Sequence, residues 1–247
     1  MPRGKLQGPT YQFLRHFDLD LPSYNDSNSR NYQIDTKHAI FLIDNPRDLV
    51  KRVSMEDLNA AIVGGDSVVE FGAEYRQARK NEADVIYYPP DYLESLDLPK
   101  YWSWRVVALA RNDLTDPDFK SLLKRLVHRD SRPRVHSWTE YPYTEFDLIQ
   151  QTSPKLNVGI YPHSDGEVVI FPSAGTTESK LRRGDSMFGL EVVSTGASVQ
   201  ANKLREFSET SQLYWPVLIK PCGYSDPFVD DLIGRLIEFR LLTGHSF

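Results

Sequence analysis

A loop of small and hydroxyl side chains in the last third of the chain has the residue types that hold a phosphate. An apolar segment, residues 189–193, precedes this loop, and residues 199–204 follow it with helical spacing. The loop consists of Ser194, Thr195, Gly196, Ala197 and Ser198. A loop between a strand and a helix directs backbone N–H groups to one point, where the helix terminus adds positive potential. The pattern predicts a phosphate-binding loop, and a plain turn whose hydroxyl caps the helix is the alternative.

An acidic residue lies on the strand just before this loop. Glu191 belongs to the apolar segment that leads into Ser194. A carboxylate at such a position can accept hydrogen bonds from two hydroxyls of a sugar. A phosphate loop with a carboxylate upstream therefore predicts a sugar-phosphate site.

The elements that position these residues alternate between apolar strands and amphipathic helices. Strands are predicted at residues 39–43, 60–63, 104–110, 134–137, 168–171, 189–193 and 213–219. Helices are predicted at residues 7–17, 46–53, 119–127, 143–150, 199–204 and 228–242, with a short one opening near Glu178. This alternation is typical of an α/β protein with a mostly parallel sheet covered on both faces. The strand at residues 60–63 stops at Gly64-Gly65-Asp66, where such proteins open a ligand crevice. Asp66 either lines that crevice or only closes a turn.

Composition and charge exclude several classes of protein. The chain has 247 residues, of which 40% are hydrophobic, and 29 Lys and Arg against 34 Asp and Glu give a net charge of -5. That balance argues against nucleic acid or an anionic membrane as the main partner. A single cysteine, Cys222, excludes an internal disulfide and fits a reducing cytoplasm. The six histidines lack metal-ligand spacing, and the apolar runs are too short for a signal peptide or a membrane span.

Residues 174–204 resemble the signature of the ATP phosphoribosyltransferase family, without a gap. The matching residues include Gly175-Thr-Thr-Glu178, the acidic strand with Glu191, and the loop that follows. Three weaker matches lie in the family's order: Pro2-Arg-Gly-Lys-Leu6, Ala61-Ile-Val-Gly-Gly-Asp66 and Thr139-Glu-Tyr-Pro142. The family catalyses the first step of histidine biosynthesis.

The resemblance implies a fold and a division into domains. The family has an α/β, two-lobed, periplasmic-binding-protein-like (type II) fold, with the active site in the cleft between the lobes. On this basis lobe one is residues 1–104 plus 205–247. Lobe two is residues 105–204 and carries the phosphoribosyl pyrophosphate loop.

The resemblance also implies the reaction and the residues that serve it. The family transfers phosphoribosyl from phosphoribosyl pyrophosphate to N1 of ATP, with Mg²⁺ that arrives with the pyrophosphate and needs no ligand from the protein. Glu191 is then the catalytic residue that holds the ribose hydroxyls, while residues 194–198 bind the 5′-phosphate. Arg3 and Lys5 are candidates for the pyrophosphate. The candidates for acceptor binding are Asp66, Arg105, Glu178 and Trp102.

The sequence leaves two alternative functions open. Trp102 and Trp104 stand where the family has small residues, which favours a phosphoribosyltransferase with a different nitrogenous acceptor. A non-catalytic binding or regulatory homologue is the other alternative. The expected partners are small-molecule substrates, further copies of the chain and, as for short members of the family, a regulatory subunit resembling a histidyl-tRNA synthetase. The expected compartment is the cytoplasm.

Overall fold

The computed structural model describes residues 1–25, 32–81, 87–98, 102–127, 134–162, 166–173 and 175–243. The chain forms two compact units, Met1–Ser103 with Trp215–Phe247, and Trp104–Tyr214. Residues 205–214, assigned above to lobe one, lie in the second unit because they form a strand of its sheet. Tyr101 and Ala174, which flank features discussed above, lie outside the described residues.

Within these residues the secondary structure alternates as the sequence predicts, with several additions. The helices are α1 (Gln7–Arg15), α2 (Pro22–Asn25), α3 (Pro46–Ser54), α4 (Gly65–Lys80), α5 (Phe119–Val127), α6 (Pro142–Thr152), α7 (Thr177–Arg183), α8 (Ala197–Ala201) and α9 (Pro227–Thr243). The strands are β1 (Gln33–Asp35), β2 (Ile40–Leu42), β3 (Ala61–Gly64), β4 (Leu93–Asp97), β5 (Trp104–Arg111), β6 (Val135–Thr139), β7 (Val158–Ile160), β8 (Val168–Pro172), β9 (Phe188–Val193), β10 (Leu204–Tyr214) and β11 (Pro216–Pro221). None of the helices in the described ranges is both long enough and apolar enough to cross a membrane.

The first unit is built on an antiparallel sheet of order β3-β11-β4, with β1 and β2 as a separate antiparallel pair. Helix α3 starts where the Asn45 side chain accepts the Arg47 N–H at 3.0 Å, with a proline at the first helical position. Its apolar stripe, Leu49, Val50 and Val53, is fully buried against β3 and β11. The prediction of a mostly parallel sheet is wrong for this unit, because each neighbouring pair of its strands is antiparallel.

The second unit carries a six-stranded sheet of order β10-β5-β9-β6-β8-β7. Strands β9, β6, β8 and β7 run parallel, while β5 is antiparallel to both β9 and β10. On one face, Phe119 of α5 packs edge-on against Phe188 at 5.2 Å between ring centroids. On the other face, Leu181 of α7 and Val199 of α8 join a buried cluster with the strands. The mostly parallel sheet with two covered faces is therefore confirmed here.

Two predicted element boundaries are wrong at the end of this unit. The strand predicted at residues 213–219 is two strands, because β10 ends at Tyr214 and β11 begins at Pro216 in the other unit's sheet. The helix predicted at residues 199–204 is shorter: α8 ends at Ala201, and Leu204 already begins β10. Lys203 between them has a left-handed backbone with φ of 55°, a conformation that a helix cannot contain.

An ion pair holds α5 to the segment that precedes it. The Asp116 side chain is 7% exposed, and Arg125 donates to both of its oxygens at 2.8 and 2.7 Å. These hydrogen bonds hold the pKa of Asp116 below its ordinary value, although burial opposes the shift. Arg205 of β10 adds hydrogen bonds to the carbonyl oxygens of Leu114 and Asp116. The pair thereby links α5 to the edge strand of the sheet.

Candidate functional site

The carboxyl ends of the parallel strands β6, β8 and β9 meet at one edge of the second unit's sheet. Polar side chains follow each strand there. The Glu140 carboxylate, just after β6, accepts the backbone N–H of Gly175. Ser173 and Thr176, after β8, share a hydrogen bond of 2.5 Å between their hydroxyl oxygens. Ligands of α/β proteins bind outside the carboxyl ends of the strands. The matched motifs include Glu140 and Thr176 but do not mark them as site residues, and Ser173 lies outside them. The signal that could have found all three is their place shortly after a predicted strand.

The predicted phosphate loop, residues 194–198, lies at this same edge, between β9 and α8. Ser194, Thr195 and Ser198 are exposed, as a ligand-binding loop requires. Gly196 has φ of 75° and ψ of -2°, the left-handed region in which only glycine is unstrained. A Cβ atom at this position would lie 3.6 Å from Oε1 of Glu206. The loop therefore has the conformation that its glycine predicts, and its inner side faces a carboxylate.

Glu178 ties the loop to the neighbouring helix α7. The Ser198 hydroxyl donates to Oε1 of Glu178 at 2.7 Å, and the Asn202 amide donates to Oε2 at 2.8 Å. The same amide also donates to the carbonyl oxygen of Ser198 at 3.0 Å. The sequence predicts that Glu178 binds the acceptor, and the structure places both of its oxygens against the loop and α8.

Strand β9 contains Glu191 and leads into the loop. Buried side chains fix it in place, in addition to its backbone hydrogen bonds to the neighbouring strands. The Leu190 N–H donates to the Glu145 carboxylate at 2.9 Å, and the Leu190 carbonyl accepts the Thr139 hydroxyl at 2.9 Å. Glu145 and Thr139 are both fully buried. A Cβ on Gly189 would lie 2.2 Å from the carbonyl oxygen of Trp138, so only glycine allows β9 this close to β6. The start of the loop is thereby held in one place.

Two carboxylates and a guanidinium share the sheet face below the loop. In the antiparallel ladder Glu191 lies opposite Val107 and Arg105 lies opposite Val193, so Glu191 and Arg105 point to the same face. Arg105 donates to Glu206 through two nitrogens, at 2.6 and 3.3 Å. Glu191 is 6% exposed and accepts the backbone N–H of the next residue at 3.0 Å. Glu191 and Arg105 are site residues predicted from the sequence, whereas Glu206 is not.

The other predicted site residues belong to the first unit. Arg3 donates its backbone N–H to the Asp44 carbonyl at 2.9 Å, and its guanidinium lies 4.4 Å from the centre of the Tyr32 ring. Lys5 is exposed in a short 3-10 turn, Gly4–Leu6. Asp66 is 7% exposed in the first turn of α4, and Trp102 is half-buried. The structure thus brings the loop, Glu178, Glu191 and Arg105 together in the second unit and places Arg3, Lys5, Asp66 and Trp102 in the first.

Comparisons with known proteins show the fold. No protein-family model matches the sequence, and no curated protein matches it. The chain is similar to the ATP phosphoribosyl transferase (HisG:HisZ) complex from Thermotoga maritima, with a TM-score of 0.62 and 12% identity over 99% of this chain and 97% of that one. It is also similar to MatC from Rhodopseudomonas palustris with bound malate (TM-score 0.51, 12% identity, 80% and 71% covered) and to a periplasmic transporter (TM-score 0.50, 13% identity, 82% and 71% covered). The α/β periplasmic-binding-protein-like (type II) fold is therefore confirmed.

Proposed function

We propose that this chain transfers the phosphoribosyl group of phosphoribosyl pyrophosphate to N1 of ATP, the first step of histidine biosynthesis. The observation that carries the proposal is the exposed loop of residues 194–198, with a left-handed glycine, in the segment that resembles the family signature. Similarity in fold to the Thermotoga maritima ATP phosphoribosyl transferase over nearly the whole of both chains supports it.

In this proposal the loop binds the 5′-phosphate. The donors are backbone N–H groups of the loop and the Thr195 hydroxyl. The Ser198 hydroxyl has a single hydrogen, which it donates to Glu178, so Ser198 would serve through its backbone unless that bond is exchanged. Hydrogen bonds to a phosphate are charge-assisted and roughly twice as strong as neutral ones. Glu178, which accepts hydrogen bonds from Ser198 and Asn202, then acts by holding the loop in its conformation.

The reaction needs stabilisation of positive charge rather than a protein nucleophile. The bond from C1′ to the pyrophosphate oxygen breaks, and its electron pair leaves with pyrophosphate. The lone pair of N1 then forms the new bond to C1′. Positive charge develops on the ribose ring between these events, and a fixed carboxylate nearby stabilises it. Glu191 suits this role because it is buried and fixed on a strand that buried side chains hold in place.

Pyrophosphate-binding and acceptor-binding roles are proposed for residues of the first unit. Arg3 and Lys5 would bind the pyrophosphate, and Asp66 and Trp102 would bind the acceptor. Mg²⁺, when bound, would neutralise charge on the leaving pyrophosphate. An ion of this type is usually held largely by substrate phosphates and water, so it would need no ligand from the protein.

The proposal includes partner chains and a compartment. Further copies of the chain and a regulatory subunit are proposed as partners, and the similarity in fold to a chain of the HisG:HisZ complex supports a partner subunit. The cytoplasm is the proposed compartment, because phosphoribosyl pyrophosphate and ATP are the proposed substrates.

Transfer to a different nitrogenous acceptor is the second candidate function, because Trp102 presents a half-buried indole where the family has a small residue. Trp104, by contrast, is 4% exposed and belongs to the core of β5.

Calorimetric titration with phosphoribosyl pyrophosphate in the presence of Mg²⁺ tests the proposal. We expect saturable binding at one site per chain, and competition by inorganic phosphate at high concentration. Gly196→Val should weaken the binding about 30-fold, the cost of losing one charge-assisted hydrogen bond to phosphate. Absence of binding by the folded wild-type chain would refute a phosphoribosyl function of either kind.

A further inference from the structure

An ion pair lies directly beneath the phosphate loop, and the reaction described above does not use it. Arg105 of β5 contacts Glu206 of β10 at 2.6 Å, and the two side chains are 36% and 22% exposed. Oε1 of Glu206 is the atom that a Cβ on Gly196 would meet, at 3.6 Å. Glu206 is thus a partly exposed carboxylate at the inner side of the loop.

The pair lies beside an irregularity in the sheet. Glu206 lies opposite Leu109 in the ladder, whereas Arg105 lies opposite Leu213, because β10 bulges between Phe207 and Gln212. The long Arg105 side chain runs along the sheet face to reach Glu206. Side chains of directly paired residues share a face, so Glu206 points to the same side as Leu109 and the cluster under α8. A bulge that redirects side chains is a recurrent feature next to binding sites.

A carboxylate at this place has consequences for a phosphate on the loop. Like charges repel, and Glu206 would oppose the anion unless its charge were compensated or its oxygens were used by hydroxyl donors. A guanidinium binds phosphate and carboxylate with the same bidentate geometry, so Arg105 can exchange one for the other. A sugar attached to the phosphate carries hydroxyls close to it, and a carboxylate can accept hydrogen bonds from two of them.

We propose that Glu206 is a ribose-binding residue, whose carboxylate is bound by Arg105 until the ligand enters. When the phosphate of a pentose phosphate occupies the loop, Arg105 turns to the phosphate and Glu206 accepts hydrogen bonds from ribose hydroxyls. This inference rests on the proposed function and extends it: the pair makes the site select a phosphorylated pentose over a bare phosphate. Glu191, which is only 6% exposed and accepts the backbone N–H of Val192, then remains the fixed carboxylate for the reaction centre.

Titrations with inorganic phosphate and with ribose 5-phosphate test this assignment in the intact chain. Glu206→Gln removes a negative charge beside the loop and releases Arg105, so inorganic phosphate should bind about three- to tenfold more tightly, as expected for a close charge pair near the surface. The preference for ribose 5-phosphate over phosphate should fall at least tenfold, because the charged acceptor for the hydroxyls is lost. A merely structural role would weaken both ligands by the same factor.

Two further variants complete the experiment. Glu238→Gln removes the same charge from an exposed position on α9 of the other unit and should leave both affinities unchanged. Arg105→Met should weaken both ligands because the phosphate loses its guanidinium. If Glu206→Gln keeps the wild-type ratio of the two affinities, Glu206 does not bind ribose. If wild-type protein binds ribose 5-phosphate no better than phosphate, this inference is overturned while the phosphate loop stands. If it binds neither, the proposed function and the inference fall together.

Discussion

Replacing Gly196 with valine should damage the loop by an amount that can be worked out from its conformation. The backbone at this position has φ of 75°, which costs a residue with a Cβ roughly 1–2 kcal/mol and a β-branched residue more. A Cβ would fit at 3.6 Å from Glu206, but the methyl groups beyond it would press on the carboxylate or push the loop outward. Either movement displaces the N–H groups of the loop. Losing one charge-assisted hydrogen bond to phosphate costs about 2 kcal/mol, which is about a 30-fold weaker affinity.

Gly223 provides a matched control for the strain. It has φ of 70° in a turn of the first unit, and a Cβ there would meet no atom within 4 Å. Gly223→Val should therefore lower the free energy of unfolding by a similar roughly 1–2 kcal/mol without changing phosphate affinity. Chemical denaturation measures the strain, and calorimetry with phosphoribosyl pyrophosphate measures the binding. If folded Gly196→Val binds with wild-type affinity, the loop does not hold the phosphate and the reasoning is refuted.

Three further predictions concern other residues. Glu191→Gln keeps the shape and one acceptor but removes the charge, so turnover should fall tens-fold or more with little change in melting temperature, and intact turnover would leave Glu191 without a catalytic role. Trp102→Gly should raise the KM for the acceptor and leave the KM for phosphoribosyl pyrophosphate unchanged in steady-state kinetics, and an unchanged acceptor KM would remove Trp102 from the site. Because Arg125 depresses the pKa of Asp116, the ionised pair stabilises the fold above the ordinary value of 3.8 and loses this effect as the pH falls through the depressed pKa. Asp116→Asn should therefore be less stable at neutral pH and show a flatter acid titration by circular dichroism, and parallel titration curves would contradict this.

Local sequence pattern was sufficient to predict the loop and its flanking elements. Strand β9 is apolar and β-branched, the loop has small hydroxyl residues, and Gly196 marks the position that needs a left-handed backbone. Each of these signals lies within a few neighbouring residues. The strand β5 was predicted for the same reason, because its central residues are apolar and buried on both faces, for example Val107 on one face and Ala108 on the other.

Features that depend on distant pairing could not be predicted in this way. Strand β10 is rich in charged and polar residues, and it exists because it pairs with β5 along the edge of the sheet. The position of Glu206 under the loop follows from that pairing, opposite Leu109, which has no local signal. The same holds for Glu145, whose buried carboxylate accepts the N–H of Leu190 on a different element. The roles of the site residues toward substrates remain predictions.

The most direct test of the proposed function is the reaction itself. Purified chain is incubated with phosphoribosyl pyrophosphate, ATP and Mg²⁺, pyrophosphate release is followed continuously, and the nucleotide product is identified by mass spectrometry. We expect pyrophosphate and an ATP molecule carrying one added phosphoribosyl group to form in equal amounts, and Glu191→Gln to slow the formation of both. Recovery of both substrates unchanged from wild-type protein that binds phosphoribosyl pyrophosphate would contradict it.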